Sequence, residues 1–363
     1  MLFGVDRAAA GLTLRKLSED ATTITLGWDP VAGIGYRFTR SAANGRYSHT
    51  WDPTRSSARF SKDSGWYAVE AMGLSASGVY PPPPVTAVPR AGISFGSKSL
   101  FRSDADHKFE LDQVQAVGAK ALRFDVKSEW FSQCDRMVNS CLARGIEPSL
   151  TLGGQMNGYS GNTAWQALVA AIRDRYVPRG VRLFETPNEP NLTGWNVADL
   201  ANAIVIANSE IHKAPGTILA AGGLALPATA MLQWTKDLYA AGIAGHFDVF
   251  SVHAYDDPAE HGSWSAWDCT FGHPTFYPGG NNIVGVMAAH GDNVPIWSTE
   301  SGGPTPKYSL DKQAQIAHNV NTDPRPQMAL WYTALDDDVP GFGLLDTNRQ
   351  PRPAYAAFKN SAQ

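Results

Sequence analysis

Two glutamates stand at the ends of apolar runs. Val181-Arg182-Leu183-Phe184-Glu185 leads into Thr186-Pro187-Asn188-Glu189-Pro190-Asn191, and Pro295-Ile296-Trp297-Ser298-Thr299 leads into Glu300-Ser301-Gly302-Gly303. Each run has the length and character of a buried strand, so Glu189 and Glu300 are both expected at strand ends. Pro190 would stop its strand and fix the exit of the chain. Two carboxyl groups facing each other can divide acid–base work. One donates a proton while the other attacks or activates water, which is what cleavage of a glycosidic bond needs. Burial and the neighbouring carboxylate would raise the pKa of the donor. A lone glutamate at a strand end is as readily a loop or capping residue. The pair is 111 residues apart, so only the fold can make it a site.

The elements that must position the pair begin after residue 88. Apolar runs alternate with helical stretches from Ala91 onward. Candidate strands begin near Gly92, Ala121, Glu147, Val181, Thr217, Phe247, Pro295 and Met328. The segments between them carry a 3.6-residue apolar period, as in 164–176 and 197–214. Eight such units predict an α/β fold, a (β/α)8 TIM barrel over 89–363, and such barrels place chemistry at the C-terminal ends of their strands. A doubly wound open sheet would want a glycine-rich turn after its first strand, and Phe95-Gly96-Ser97-Lys98 is no nucleotide fingerprint. Residues 1–88 read differently. Thr22–Trp28, Tyr36–Thr39 and 66–71 alternate with period two, separated by Gly, Asn, Asp and Ser, as in a small all-β sandwich. The motifs LGWDPV (26–31), YRFTR (36–40) and WYAVEAMG (66–73) resemble a fibronectin type III module, which implies a spacer or binding domain without chemistry of its own. Pro81–Pro84 is a run of four prolines, expected to be a stiff polyproline II linker.

Composition removes several function classes. With 363 residues, 30 Lys+Arg and 34 Asp+Glu, the net charge is −4, so no nucleic-acid partner is expected. No apolar run reaches the roughly 18 residues of a membrane span. Three cysteines make no disulfide framework. Cys134 and Cys141 lie seven apart and Cys269 is alone, which matches no zinc spacing. Asp336-Asp337-Asp338 reads as a solvated loop, because no further ligands lie at calcium-loop spacing. No metal and no cofactor are therefore expected. The first seven residues lack the pattern of a signal peptide. The expected setting is extracellular or virion-associated through release by lysis, and otherwise cytoplasmic; a monomer is expected.

FETPNEPN (184–191) resembles the acid/base motif of retaining glycosidases of clan A, most closely glycoside hydrolase family 39, and IWSTESG (296–302) resembles that clan's nucleophile strand. SVHAY (251–255), ALRFD (121–125) and GFGLLDTNRQPRPAYAAF (341–358) extend the resemblance over about 270 residues. One departure is Pro187, where family 39 usually has a tryptophan. The resemblance implies a (β/α)8 hydrolase with Glu189 as acid/base and Glu300 as nucleophile, acting on a polysaccharide or oligosaccharide. Around the pair, Asn188 is placed to reach a sugar hydroxyl. Tyr255 could donate to Glu300, and Arg123 could pair with it or form a structural salt bridge. His253 is a site residue or a core histidine. Trp331 is a sugar platform or a core residue, and Glu185 is a structural ion-pair partner. The long connection 256–282 carries Trp264, Trp267, Phe271, Phe276 and Tyr277, which could form subsites for a polymer or simply pack the loop. Trp130 and Trp195 are further platform candidates. The phage-like setting suggests an endo-acting enzyme of a cell-wall or envelope glycan. The rival reading is a non-catalytic carbohydrate-binding or adhesion protein of a phage tail or cell surface.

Overall fold

The computed structural model describes residues 88–154, 158–225, 227–336 and 339–362 in full, and the backbone of six strands within 1–87. The chain divides into two compact units, 1–87 and 88–363. In the first, β1 (Arg15–Glu19), β2 (Thr23–Gly27) and β5 (Ser57–Ser61) form one antiparallel sheet in the order β1-β2-β5. A second sheet has the order β4-β3-β6, from β3 (Ile34–Ser41), β4 (Tyr47–Asp52) and β6 (Trp66–Gly73). The expected proline linker lies outside the described residues.

The second unit is a closed barrel of eight parallel strands. They are β7 (Ala91–Ser94), β8 (Ala121–Val126), β9 (Glu147–Leu152), β10 (Leu183–Glu185), β11 (Ile218–Leu224), β12 (Val249–Ala254), β13 (Ile296–Ser301) and β14 (Met328–Tyr332). The helices that follow them include α1 (Asp104–Ala116), α2 (Phe131–Leu142), α3 (Asn162–Tyr176), α4 (Val197–Ile211), α5 (Ala228–Ala240), α6 (Ala266–Phe271), α7 (Ile283–Ala289), α8 (Leu310–Thr322) and α9 (Pro353–Ser361). Ser103, Asn196, Ser265, Asn282 and Ser309 each accept a backbone N–H in the first turn of a helix. This satisfies donors that a helix start leaves unpaired. No helix among the described residues is long and apolar enough to cross a membrane.

Strand parity divides the barrel into two compartments. On β8, Leu122, Phe124 and Val126 join the core between sheet and helices. Arg123 and Asp125, being out of phase with them, face the barrel interior. On β12, Phe250, Val252 and Ala254 face the helices, which leaves His253 inside. On β14, Ala329 and Trp331 belong to the helix-facing core, so the next residue, Tyr332, turns to the mouth. Two strands break this alternation. Val252 pairs with Ser298, but His253 pairs with Glu300, and on the other side Ser298 pairs with Ala329 and Ser301 with Trp331. Strand β13 thus carries one residue more than both neighbours. Strand β11 does the same against β12, where Ala221 pairs with Phe250 and Leu224 with Val252. The extra backbone there is Gly222-Gly223, with φ of 119° and 56°, a region open to glycine at little cost. Such bulges re-aim the side chains that follow them.

Asp336, the first residue of the acidic run, is not solvated as expected from sequence. Asp336 is buried, accepts the N–H groups of Gly341 and Gly343, and pairs with Arg352 at 2.5 Å. It ties the segment after β14 to the approach of α9. Asp337 and Asp338 lie outside the described residues.

The wall of the barrel has no slack at Gly92. A Cβ there would lie 2.5 Å from the Ala121 carbonyl oxygen and 2.6 Å from a Leu330 methyl. Gly92→Ala is expected to destabilise the barrel by about 1–3 kcal/mol or more, as overpacking does. Urea or thermal denaturation followed by circular dichroism would measure it, and unchanged stability would refute this account of the packing.

Candidate active site

Arg123 organises the mouth of the barrel. It is 1% exposed. Its Nε donates to Glu185, Nη1 donates to Ser94 at 3.1 Å and to Glu300 at 2.6 Å, and Nη2 donates to Asn188 at 2.7 Å. One side chain from β8 therefore ties β7, β10, the turn after β10 and β13. Burial opposes its charge, but Glu185 and Glu300 outweigh burial and raise its pKa further. Glu185 is fully buried and also accepts from Thr299 at 2.7 Å and Thr151 at 3.4 Å. Burial pushes its carboxyl up. The Arg123 charge, His253 and hydroxyl donors outweigh that, and it lies below the ordinary 4.5. Glu185 is the ion-pair partner of Arg123, fixed behind the site.

Glu189 leaves the strand end in a left-handed conformation, with φ of 45°. For a residue other than glycine this stores roughly 1–3 kcal/mol of strain, which the surroundings must enforce. The β11 bulge helps to enforce it, because Gly223 offers its carbonyl to the Glu189 N–H at 3.1 Å. Thr193 donates to the Glu189 carbonyl at 2.9 Å. Glu300 is aimed inward by the β13 bulge. Thr299 already points inward to Glu185, so strict alternation would send Glu300 out to the helices. Instead Glu300 accepts from Arg123 and from the Tyr255 hydroxyl. Burial and then the Glu300 charge push the Tyr255 phenol well above 10, so it serves as a donor.

His253 lies between the two glutamates. Its Nδ1 is 3.0 Å from Glu189 and 3.7 Å from Glu300. One oxygen of each glutamate and a ring nitrogen of His253 all lie within 4.8 Å of one another. Burial pulls the His253 pKa down, but Glu300 and Glu189 outweigh it and leave it above 6.5. Burial pushes Glu189 up, but the hydrogen bond from His253 and the charges of His253 and Arg123 carry it below 4.5. This corrects the expectation that burial and a neighbouring carboxylate raise the donor. Both directions favour a proton on the imidazole, whose Nδ1 stands 3.0 Å from Glu189. His253 Nε2 has no hydrogen-bond partner among the described residues.

Arg123 and His253 are buried, and the contacts described for them run to the two glutamates and to Glu185, Ser94 and Asn188. Trp331 is 0% exposed and donates its indole N–H to the Phe342 carbonyl at 3.1 Å. Strand parity puts it on the helix side, where it offers no face to a sugar. The aromatic at the mouth is its neighbour Tyr332, packed edge-to-face against Tyr255 and Phe342. Trp195 is also buried, against Tyr159 and Trp165. Trp130 is half-buried, with Lys127 Nζ 4.4 Å from its ring centre. In the long loop after β12, Trp267 and Tyr277 are packed, whereas Trp264 is 50% and Phe276 39% exposed. Asn188 accepts from Arg123 through its side-chain oxygen, and its amide N–H groups have no hydrogen-bond partner among the described residues.

Sequence reading missed Asp125 as well as Tyr332. Asp125 follows Arg123 on the inward face of β8 and is 9% exposed. Its carboxyl has no hydrogen-bond partner among the described residues, and burial, outweighing the Arg123 charge, pushes it up to about 6. Gly154, with φ of 55°, makes room for it, because a Cβ there would stand 2.8 Å from the Asp125 carboxyl carbon. Alternation on ALRFDV was the signal that could have found it.

No family model matches the chain, and no curated protein matches it. Solved structures share its fold. An exo-β-1,4-mannosidase from Opitutaceae bacterium strain TAV5 aligns with TM-score 0.54 and 15% identity, over 80% of this chain and 62% of that one. The endo-β-1,4-mannanase of Thermotoga petrophila gives 0.51 and 13%, over 76% of each chain. A calcium-binding mutant of Bacteroides uniformis β-glucuronidase 2 gives 0.51 and 11%, over 96% of this chain, which spans about half (49%) of that protein.

The proton location has a kinetic signature. The pair formed by Glu189 and His253 should lose its proton at a midpoint above 6.5, giving the alkaline limb of the kcat/KM profile. In His253→Asn the remaining donor is the Glu189 carboxyl, so the limb should move to lower pH. An unmoved limb would show that His253 does not hold the proton. Stability should change at the other end of the scale. The lowered pKa of Glu185 contributes stability that is present above 4.5 and lost as pH falls through its folded value. The acid-unfolding slope should therefore flatten in Glu185→Gln.

Proposed function

We propose that the chain is a retaining glycosidase that cleaves a polysaccharide by double displacement. Glu300 attacks the anomeric carbon while Glu189 protonates the leaving oxygen. Glu189 then removes a proton from water, and the water releases the sugar from Glu300. The carrying observation is the separation of the pair. Carboxylate oxygens within 4.8 Å suit the roughly 5–5.5 Å of retaining enzymes. Inverting enzymes hold their pair at roughly 6.5–9.5 Å, with a water between the two groups. The shared barrel of glycosidases and mannanases agrees with this reading.

The donors support a division of labour. Glu300 accepts two hydrogen bonds as a carboxylate, the form that attacks. Glu189 is the more exposed of the two and holds the proton source, His253. Once Glu300 is esterified its charge is gone and the pKa of the imidazole–carboxylate pair falls, so the pair stays deprotonated after giving its proton to the leaving oxygen and is free to take one from water.

A neutral sugar fits the mouth better than a uronic acid. Four of the five N–H donors of Arg123 are committed to protein groups, and Asp125 adds a further carboxyl. Exposed Trp264 and Phe276 on the long loop suit stacking along a chain, which supports endo action on a cell-wall or envelope glycan. In this reading the N-terminal sheets are a fibronectin type III-like spacer or binding module.

Screening neutral wall and capsular polysaccharides for released reducing ends identifies the substrate. Proton NMR of the first product should then show retained anomeric configuration, and inversion would sink the mechanism. Glu300→Gln should abolish turnover with the fold intact. Glu189→Gln should lower kcat by roughly 10²–10⁴-fold, the usual weight of a general acid. Wild-type rates in either variant would refute its assigned role.

A further inference from the structure

The loop between β12 and α7 holds a second cluster of ligating side chains, which the proposed reaction does not use. His261 Nδ1 is 2.9 Å from Asp268 Oδ1. His273 brings a ring nitrogen into the same space, so that one donor atom from each of the three residues lies within 4.8 Å of the others. The two imidazole rings are 4.6 Å apart and inclined by 33°. We propose that His261, Asp268 and His273 bind a divalent metal of the Zn²⁺ class, which clamps this loop on the catalytic face of the barrel.

Three features argue for a built site. The first is the donor set. Two imidazoles and one carboxylate suit Zn²⁺, whereas Ca²⁺ and Mg²⁺ want more oxygen ligands than one carboxylate provides. Metal–ligand bonds of about 2.0–2.2 Å set tetrahedral donor–donor distances near 3.4 Å. His261 Nδ1 and Asp268 Oδ1 stand 2.9 Å apart and no pair of donors exceeds 4.8 Å, so a swing of an imidazole would close the site.

The second is support behind the donors. Asp268 is buried, and its other carboxylate oxygen accepts the Gly262 N–H at 2.9 Å. Its own N–H is capped by Ser265 at 3.2 Å. His273 Nδ1 accepts the Thr275 N–H at 3.2 Å, and its ring stacks on Phe276 at 5.0 Å. Tyr277 closes the segment by donating to the Ser263 carbonyl at 2.6 Å. The contacts of Asp268 and Tyr277 hold the carboxylate and the segment in place behind the donors, whereas His273 would give up its contact with the Thr275 N–H so that a ring nitrogen is free to ligate.

The third is access. His261 is about half exposed and His273 partly so, which leaves an entry path and an open position for water or an outside ligand. The clamp would bear on the loop's exposed aromatics, because Phe276 stacks on one ligand and Trp264 lies between the other two in sequence. Metal binding here does not depend on the reaction being glycoside cleavage.

The test uses the full chain, freed of metal by chelation and titrated with ZnCl₂ by calorimetry. One Zn²⁺ per chain with micromolar or tighter affinity is expected. His261→Ala/His273→Ala should weaken it at least 100-fold, while Glu189→Gln/Glu300→Gln should retain it. The second variant removes the other His/Glu cluster, at the catalytic pair. Co²⁺ should give the intense visible absorption of a four-coordinate site in the wild type and not in the histidine variant. Zn²⁺ should slow proteolysis within 256–282. No binding at 100 µM ZnCl₂, or binding that survives loss of both histidines, would overturn the proposal. Circular dichroism establishes that each variant is folded, and His273→Gln alone serves if the double variant is not.

Discussion

A single buried guanidinium holds the mouth of this barrel together. Arg123 carries a permanent charge in a place with almost no access to water, where an uncompensated ion would cost several kcal/mol. Two carboxylates compensate it, and they come from strands on different sides of the barrel. Glu185 sits behind the site and Glu300 sits in it. The structural requirement to neutralise Arg123 and the chemical requirement to aim Glu300 are thus met by the same hydrogen bonds. Asn188 and Ser94 complete the set, so the turn bearing Glu189 and the first barrel strand are positioned by the same charge.

Around this centre the backbone departs from regularity where chemistry needs it. Ideal parallel strands would put every second side chain in the interior and offer no means of bringing Thr299 and Glu300 to the same side. The additional residue in β13 does so. The glycine pair in β11 exposes a carbonyl that captures the N–H of Glu189 in its left-handed conformation. Glu300 therefore owes its direction to an irregularity in its own strand, and Glu189 to one in the neighbouring β11. A similar economy governs the charges. The imidazole of His253 is shared by both glutamates, 3.0 Å from one and 3.7 Å from the other.

Much of this was legible in the residues. The eight strands begin within two residues of the positions read from apolar runs, because strands buried on both faces leave an unmistakable pattern. Glu189 and Glu300 stood out because each ended such a run. Directions were less legible. Trp331 looked like a platform because it is a tryptophan near a strand end, yet alternation on β14 assigns it to the helix side and gives the mouth to Tyr332. Asp125 was passed over although it is in phase with Arg123. The bulges left no signal beyond two adjacent glycines. The spacing of His261, Asp268 and His273 matches no familiar ligand motif, and only the folded loop gathers them. Asp336 looked solvated because neighbouring aspartates suggested it, whereas its carboxylate is fully engaged by two backbone amides and an arginine.

The surplus residue in β13 has a consequence for how such a site can be lost. Thr299 acts as a shim. Were the same residues paired without the bulge, alternation would set Ser298 and Glu300 on one face, and the barrel could close as before. Glu300 would then point from the cavity into the oily annulus beneath the helices. Here the counting of residues between two fixed pairings, as much as their chemical identity, decides whether the carboxylate reaches the cavity.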